Sequence, residues 1–409
     1  MKKLLIFQTA YTYSEMLEDS LEVYFTSKDL DGYFSKVFTV NPIAFNPATL
    51  NARNNESKKA KVFFHNENHI FIEGSHARFK RFQKFRRLNF LLAQVDLFFV
   101  VLKVVHKNKC DFVRAEDPRY CGLWGYLFAK ILSKPLLVGV WGNPDTNREL
   151  LCGPMSPRIF GTVVREKAIE KFILRKSNMS LAQNDDNLGF ILNLGIPREK
   201  TAIFKLGNGI HPIHFTEPEK RELKTFWAKE FEPFAGKVVI SIGQLEKRKL
   251  YDDALRVISY LKRDFEIKYL IIGEGSQKDI LKKLTLELDI ADNVIFLGKI
   301  SQPEIAALLS IADLVLSPLT GRALTEALLA AAPVVAYDID CHPELIKSGI
   351  TGELVEYRNY HEMAAKSMHI LVDPSYGDFL GANARKFALN FMDPKRIITT
   401  QIGIYEGLK

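Results

Sequence analysis

The feature that most constrains this chain is its alternation. Short runs of branched and aliphatic residues recur between longer stretches with helical spacing. In the second half the runs are Val238–Ile242, Tyr269–Ile272, Val294–Leu297, Leu314–Leu316, Val334–Tyr337 and Leu354–Val355. The stretches between them include Asp252–Leu261, Gln277–Leu288, Gln302–Ile311 and Leu324–Ala331. A strand covered on both faces reads as a continuous apolar run, and joining parallel neighbours takes a crossover helix. The pattern predicts a parallel sheet with right-handed crossovers.

The first half repeats the theme. Its expected strands are Leu4–Thr9, Lys36–Thr39, Phe112–Ala115, Leu136–Val140, Met179–Ala182 and Ala202–Lys205. Val62–His65 and His69–Ile72 read as a pair around a turn. Helices are expected at Ser14–Phe25 (with Ser14 as cap), Phe79–Arg87, Leu88–Lys107, Gly122–Leu132 and Pro157–Lys176, and a polar loop at Asn46–Ala60. At 409 residues, two cores are the natural reading. The expected class is α/β, with two Rossmann-like doubly wound parallel-sheet domains facing a cleft. Residues 1–211 form the first domain and 237–390 the second. Residues 212–236, with Pro212, Pro218, Pro233 and a helix at Lys220–Glu230, form the linker region. Residues 391–409 read as a terminal helix able to cross back to the first domain.

The net charge of +8 favours anionic partners, whether nucleotides, phospholipid head groups, nucleic acid or acidic glycans. Cys110, Cys121, Cys152 and Cys341 form no C-x-x-C pair and have no zinc-finger spacing, so they read as free thiols in a reducing cytosol. The opening MKKLLIFQTAY reads as a first strand rather than a signal peptide. Leu88–Lys107 is apolar but carries Asn89, Gln94, Asp96 and Lys103. A central charge in a bilayer costs roughly 2.5–3.5 kcal/mol, so a soluble helix packed on two sides is expected.

Ligands of doubly wound sheets bind beyond the carboxyl ends of the strands. Four loops in the second half sit there. Gly243-Gln244-Leu245-Glu246-Lys247-Arg248-Lys249 combines a glycine with bases; it suits a phosphate or, equally, a turn with a solvated face. Gly273-Glu274-Gly275 resembles a dinucleotide fingerprint but has Lys278 where the third glycine belongs, which favours a tight turn. After Phe296-Leu297-Gly298, the backbone around Lys299 is free to meet a base edge or simply to turn. The stretch from Ser317 to Ala327 passes through Thr320, Gly321 and Arg322 into a helix. Its amides and dipole suit a diphosphate. Glu326 has two oxygens for two vicinal ribose hydroxyls, or it is a surface residue near a helix start.

In this order the loops resemble the retaining two-domain (GT-B) glycosyltransferases, in particular glycosyltransferase family 4. That pattern runs Gly-Arg-Leu to Lys, Gly-x-Gly, Phe-x-Gly, a serine-rich stretch with two glutamates, and Pro-Val-Val, matched here by Pro333-Val334-Val335. Lys205-Leu206-Gly207-Asn208-Gly209-Ile210 is similar to the family's Asn-Gly-Val hinge. The resemblance covers Lys237 to about Leu371. It implies a donor site of Gly243, Gln244, Lys249, Gly273, Gly298, Lys299, Gly321, Ala323, Leu324 and Glu326. Lys249 would meet the diphosphate and Glu326 the ribose. The departures are Gln244 for the family's Arg, Leu250 for its Gly, and loss of the first glutamate, nearest to which stand Thr320 and Arg322. Trp141 stands where a catalytic His is often found, with Asn143 and Asp145 close by. Thr320, Arg322 and Asp145 are therefore the candidate catalytic residues.

The implied activity is transfer of a sugar from a UDP- or GDP-sugar to a hydroxyl of a glycan or lipid-linked glycan. Retention, no metal, and no cofactor beyond the nucleotide-sugar co-substrate are implied with it. A non-catalytic nucleotide-binding protein and a sugar-nucleotide epimerase remain open. Asp338-Ile339-Asp340 has the D-x-D form of metal-binding transferases but reads as a structural loop. The Asn55 and Asn178 sequons read as incidental, and His211 and His214 as surface residues. His76–Arg87 sets Phe79, Phe82 and Phe85 among bases with no acid. It suits a helix on an anionic membrane surface or one packed by its rings. No nucleic-acid motif accompanies it, so the expected location is cytoplasmic, peripheral at the inner face of the membrane.

Overall fold

The computed structural model describes residues 1–18, 21–44, 58–82, 84–217 and 236–408. The expected helix at Lys220–Glu230 and most of the Asn46–Ala60 loop lie outside the described residues. The chain divides into two units: Met1–Gly209 with Pro394–Lys409, and Ile210–Asp393.

The first unit holds β1 (Lys2–Phe7), β2 (Phe34–Asn41), β3 (Lys61–Phe64), β4 (His69–Glu73), β5 (Phe112–Ala115), β6 (Leu136–Val140), β7 (Met179–Ala182) and β8 (Thr201–Ile203). Their order is β3-β4-β2-β1-β5-β6-β7-β8. β3 runs antiparallel to β4, and the other pairs are parallel. The helix Pro394–Glu406 belongs to this unit. Its Tyr405 is fully buried among Phe34, Phe112 and Phe204, and Arg114 donates to its hydroxyl at 3.0 Å.

The second unit holds β9 (Lys237–Ile242), β10 (Ile267–Ile272), β11 (Val294–Gly298), β12 (Leu314–Ser317), β13 (Val334–Tyr337) and β14 (Glu353–Val355). The sheet is wholly parallel, in the order β11-β10-β9-β12-β13-β14. Val239, Ile240, Leu314, Leu316, Val334 and Val335 have no exposed surface, which is why these strands read as unbroken apolar runs. β9 and β12 are neighbours, and the chain winds outward from them in opposite directions. Their carboxyl ends therefore open the crevice where a doubly wound sheet takes its ligand.

Several local expectations are corrected. Ser14–Phe25 is two short helices, Tyr13–Glu18 and Glu22–Thr26. The first is capped by Thr12 rather than Ser14: Glu15 accepts from the Thr12 amide at 2.8 Å while its own amide donates to the Thr12 hydroxyl at 3.2 Å. Pro157–Lys176 breaks at Gly161, whose φ is +77°, and restarts with Thr162 as cap. The helices Pro144–Leu151 and Asp185–Asn193 were not anticipated. Phe79–Arg87 is not a helix but a tight turn at Lys80–Phe82 ahead of one long helix, Arg86–Asn108.

Among the described residues, that long helix packs on one side. Asn89, Ala93, Leu97, Val101 and Val105, four residues apart, are buried. Leu88, Leu91, Val95 and Phe99 form a second stripe that stays exposed. Three of its polar residues face protein while Lys103 is exposed: Asn89 accepts from the amides of Arg78 and Phe79, Gln94 donates to the Ser75 carbonyl, and Asp96 pairs with Arg78.

Candidate functional site

Three glycines close the ends of β9, β10 and β11. Gly243, Gly273 and Gly298 have φ of +149°, +135° and +70°. A Cβ on Gly273 would stand 2.0 Å from the Gly243 carbonyl oxygen, so the two loops touch through bare backbone. The Gly243 amide donates to the Ile272 carbonyl at 2.9 Å and the Gly273 amide to that of Gly298 at 2.7 Å. Neither amide is free for a ligand, and these glycines serve close approach of the loops. Gln244 and Lys299 are exposed beside them.

Lys249 ends the tight turn Lys247–Lys249 that follows. Among the described residues its ammonium makes no hydrogen bond or ion pair. Burial, then the neighbouring Arg248, pushes its pKa down to about 8, against the pull of Asp340 and Glu246. A half-buried cation without a partner is costly for a fold and useful for an anion.

Past β12, Gly321 caps the helix Arg322–Leu329 with no side-chain hydrogen bond. Among the described residues the Gly321 and Ala323 amides donate to no acceptor. The Leu324 amide is taken by the Gly321 carbonyl at 3.0 Å, and its side chain lies in the core, so Leu324 offers a ligand nothing. An uncapped helix start presents free N–H groups and the positive end of the dipole. Inside the helix, Glu326 is 2% exposed. Its Oε1 lies 3.2 Å from Arg322 Nε, an ion pair whose geometry makes no hydrogen bond, and this buried oxygen has no hydrogen-bond partner among the described residues. Such an acceptor is expensive to leave unmade and suits a ligand hydroxyl.

Thr320 is buried, and its hydroxyl shares a hydrogen bond with that of Ser317. Its carbonyl meets Nε2 of His342 at 2.8 Å. Sequence reasoning missed His342, because its partners are carbonyl oxygens and leave no side-chain pattern. His214, expected at the surface, is 3% exposed and pairs through Nε2 with Gln302 at 2.8 Å. Among the described residues no three His, Cys, Asp or Glu side chains converge on a point.

The third candidate catalytic residue, Asp145, belongs to the first unit. Its carboxylate lies 2.8 Å from Lys167 and 2.9 Å from Arg148. Burial works against ionisation there, but those two cations hold the carboxyl below its usual range, which makes it a weak base. Arg148 also pairs with the fully buried Glu166 and Glu170, so the group is a structural ion network. Asn143 caps the same helix, and Trp141 donates to Glu116.

Residues 225–387 match the family described as Glycosyl transferases group 1. N-acetyl-alpha-D-glucosaminyl L-malate synthase of Bacillus anthracis is 28% identical over 173 residues, 41% of this chain and 45% of that protein. The chain spans about half the length of the first curated relatives it matches. Among solved structures, sucrose-phosphate synthase from Thermosynechococcus elongatus superposes with a TM-score of 0.78 at 15% identity, covering 100% of this chain and 99% of that one. Anabaena Alr3699/HepE in complex with UDP-glucose gives 0.75 at 15% identity, with 100% of both chains covered. The chain therefore has the two-domain GT-B glycosyltransferase fold, and through residues 225–387 it resembles the glycosyl transferases group 1 family.

Proposed function

We propose that the chain is a glycosyltransferase that moves a sugar from a nucleotide-sugar donor to a hydroxyl acceptor on a glycan or lipid-linked glycan. The observation that carries this reading is Glu326: a buried carboxylate oxygen lacking a hydrogen bond, inside a helix whose start is uncapped. A nucleoside diphosphate supplies the complement of both, with ribose hydroxyls for Glu326 and phosphate oxygens for the Gly321 and Ala323 amides. Lys249 completes the positive field where the leaving group gains charge. Preorganised donors of this kind stabilise a transition state without reorganising, and they act without a divalent ion. Retention of configuration is part of the proposal and rests on the family resemblance. Arg322, beside Glu326, is the candidate to meet the donor sugar in place of the absent first glutamate.

The test is incubation in EDTA with UDP-glucose, UDP-N-acetylglucosamine or GDP-mannose and a panel of alkyl glycosides. The proposal expects nucleoside diphosphate and a new glycoside in equal amounts, with the donor's anomeric configuration by proton NMR. Isomerised donor without an acceptor would identify an epimerase, and binding without turnover a non-catalytic protein.

For the acceptor's setting we infer a membrane surface. Arg86–Asn108 is the one helix among the described residues long and apolar enough to span a bilayer. Its exposed stripe of Leu88, Leu91, Val95 and Phe99, beside exposed Phe85, lies next to Lys80, Arg81, Lys84, Arg86 and Arg87. An apolar stripe rimmed by bases suits an in-plane helix on anionic lipid. Sedimentation with phosphatidylglycerol vesicles, lost in Leu91→Glu/Phe99→Glu, is the expected result. A native chain that ignores these vesicles contradicts it.

A further inference from the structure

His342 opens the short helix after β13 and has no exposed surface. Nδ1 lies 2.8 Å from the Tyr337 carbonyl oxygen and Nε2 2.8 Å from that of Thr320. Both partners can only accept. A neutral imidazole carries one N–H and one lone pair, so it satisfies one contact and sets a lone pair against oxygen at the other. The imidazolium donates to both.

The groups around the ring pull both ways. Burial pushes the ring below its ordinary pKa and Lys249 pushes with it, while the two carbonyls and Asp340 oppose them. Glu344 lies on the ring's own helix, and Arg322 and Glu326 on the helix that follows the Thr320 loop. The Cys341 thiol is held neutral by burial. A bound diphosphate would add negative charge near Lys249 and Thr320.

The peptide plane links the ring to that ligand. In a trans peptide the carbonyl and the following N–H point in opposite directions. With the Thr320 carbonyl turned to His342, the Gly321 N–H of the same plane faces the other way. That amide has no acceptor among the described residues, and the space beside Gly321 is open.

We propose that His342 is a positioning residue for the donor diphosphate, doubly protonated in the complex, where it holds the Thr320 carbonyl and aims the Gly321 N–H at phosphate. The inference rests on the donor-site reading above. Binding then takes up a proton from solvent onto the ring, and affinity rises as pH falls through the ring's titration. The ligand's own phosphate titrates near pH 6, but it does so equally for any variant.

The experiment is titration calorimetry of the whole chain with UDP and GDP, in buffers of different ionisation enthalpy, for the native protein and His342→Gln. The native chain should take up more protons than the variant and bind about tenfold more tightly, with a gap that widens toward acid pH. Nitrogen-15 NMR of histidine-labelled native protein gives a second readout that needs no variant to fold: both ring nitrogens of His342 carry protons in the complex. A neutral ring in the complex, or equal proton uptake and affinity in His342→Gln, overturns the inference alone. No binding of either nucleotide by the native chain overturns the donor-site reading and this inference with it.

Discussion

Replacing Lys249 with Met removes one half-buried cation and keeps most of the side-chain volume. A hydrogen bond between charged groups contributes about 1.5–3 kcal/mol, and about 1.4 kcal/mol is a factor of ten, so affinity for a nucleoside diphosphate should fall roughly 10- to 100-fold. The effect on stability has the other sign. The fold holds this ammonium at a pKa of about 8 against an ordinary 10.5. At pH 7 both folded and unfolded chains are protonated, and the folded one bears the desolvation. That costs on the order of 2 kcal/mol once partial exposure is allowed for, and Lys249→Met should melt no lower than the native chain. In the native chain, stability should rise between pH 8 and 10.5, where only the unfolded state still holds the proton. Binding runs the opposite way. An anion favours the charged lysine, so native affinity should fall about tenfold more than the variant's from roughly pH 7 to 9. Calorimetric titration with UDP and GDP across that range, beside thermal melts, measures both. Equal affinity in the variant, or the same pH slope, would refute the assignment of Lys249 to the diphosphate.

Three further substitutions follow from the geometry. Glu326→Gln should weaken nucleoside diphosphate binding by about 1.5–3 kcal/mol in titration calorimetry while changing the melting temperature little, because it trades an ion pair with the half-buried Arg322 for a neutral amide of the same shape. Gly273→Ala should lower stability by about 3 kcal/mol in urea denaturation, since the new Cβ falls 2.0 Å from the Gly243 oxygen at a φ of +135°. Arg148→Met should cost about 3 kcal/mol in the same assay by removing the cation that Glu166 and Glu170 share, leaving Glu166 with the Met155 and Ser156 amides and Glu170 with Arg119, and wild-type stability there would show that the network is no structural tie.

How much was legible depends on the range of the signal. Strands such as β9 and β12 announced themselves because both faces are buried. Gly243, Gly273 and Gly298 are legible because each follows an unbroken apolar run, where a doubly wound sheet places its ligand loops. Glu326 was found through its place in an ordered set of loops. Other features depend on distant partners. Asp145 is a catalytic candidate by its place in the loop, but Lys167, on another helix, pairs with its carboxylate. His342 depends on carbonyls 5 and 22 residues away. The helix Arg86–Asn108 is apolar on both sides, and periodicity alone could not tell which stripe the sheet covers. The break at Gly161 needed a positive φ that composition does not reveal.

The most direct test of the donor site is a crystal structure of the chain soaked with UDP or GDP in the presence of EDTA. The account predicts a diphosphate against the Gly321 and Ala323 amides and Lys249 Nζ, with both ribose hydroxyls on the Glu326 carboxylate. A nucleotide bound elsewhere, or one that leaves Glu326 Oε1 without a hydrogen bond, would contradict it.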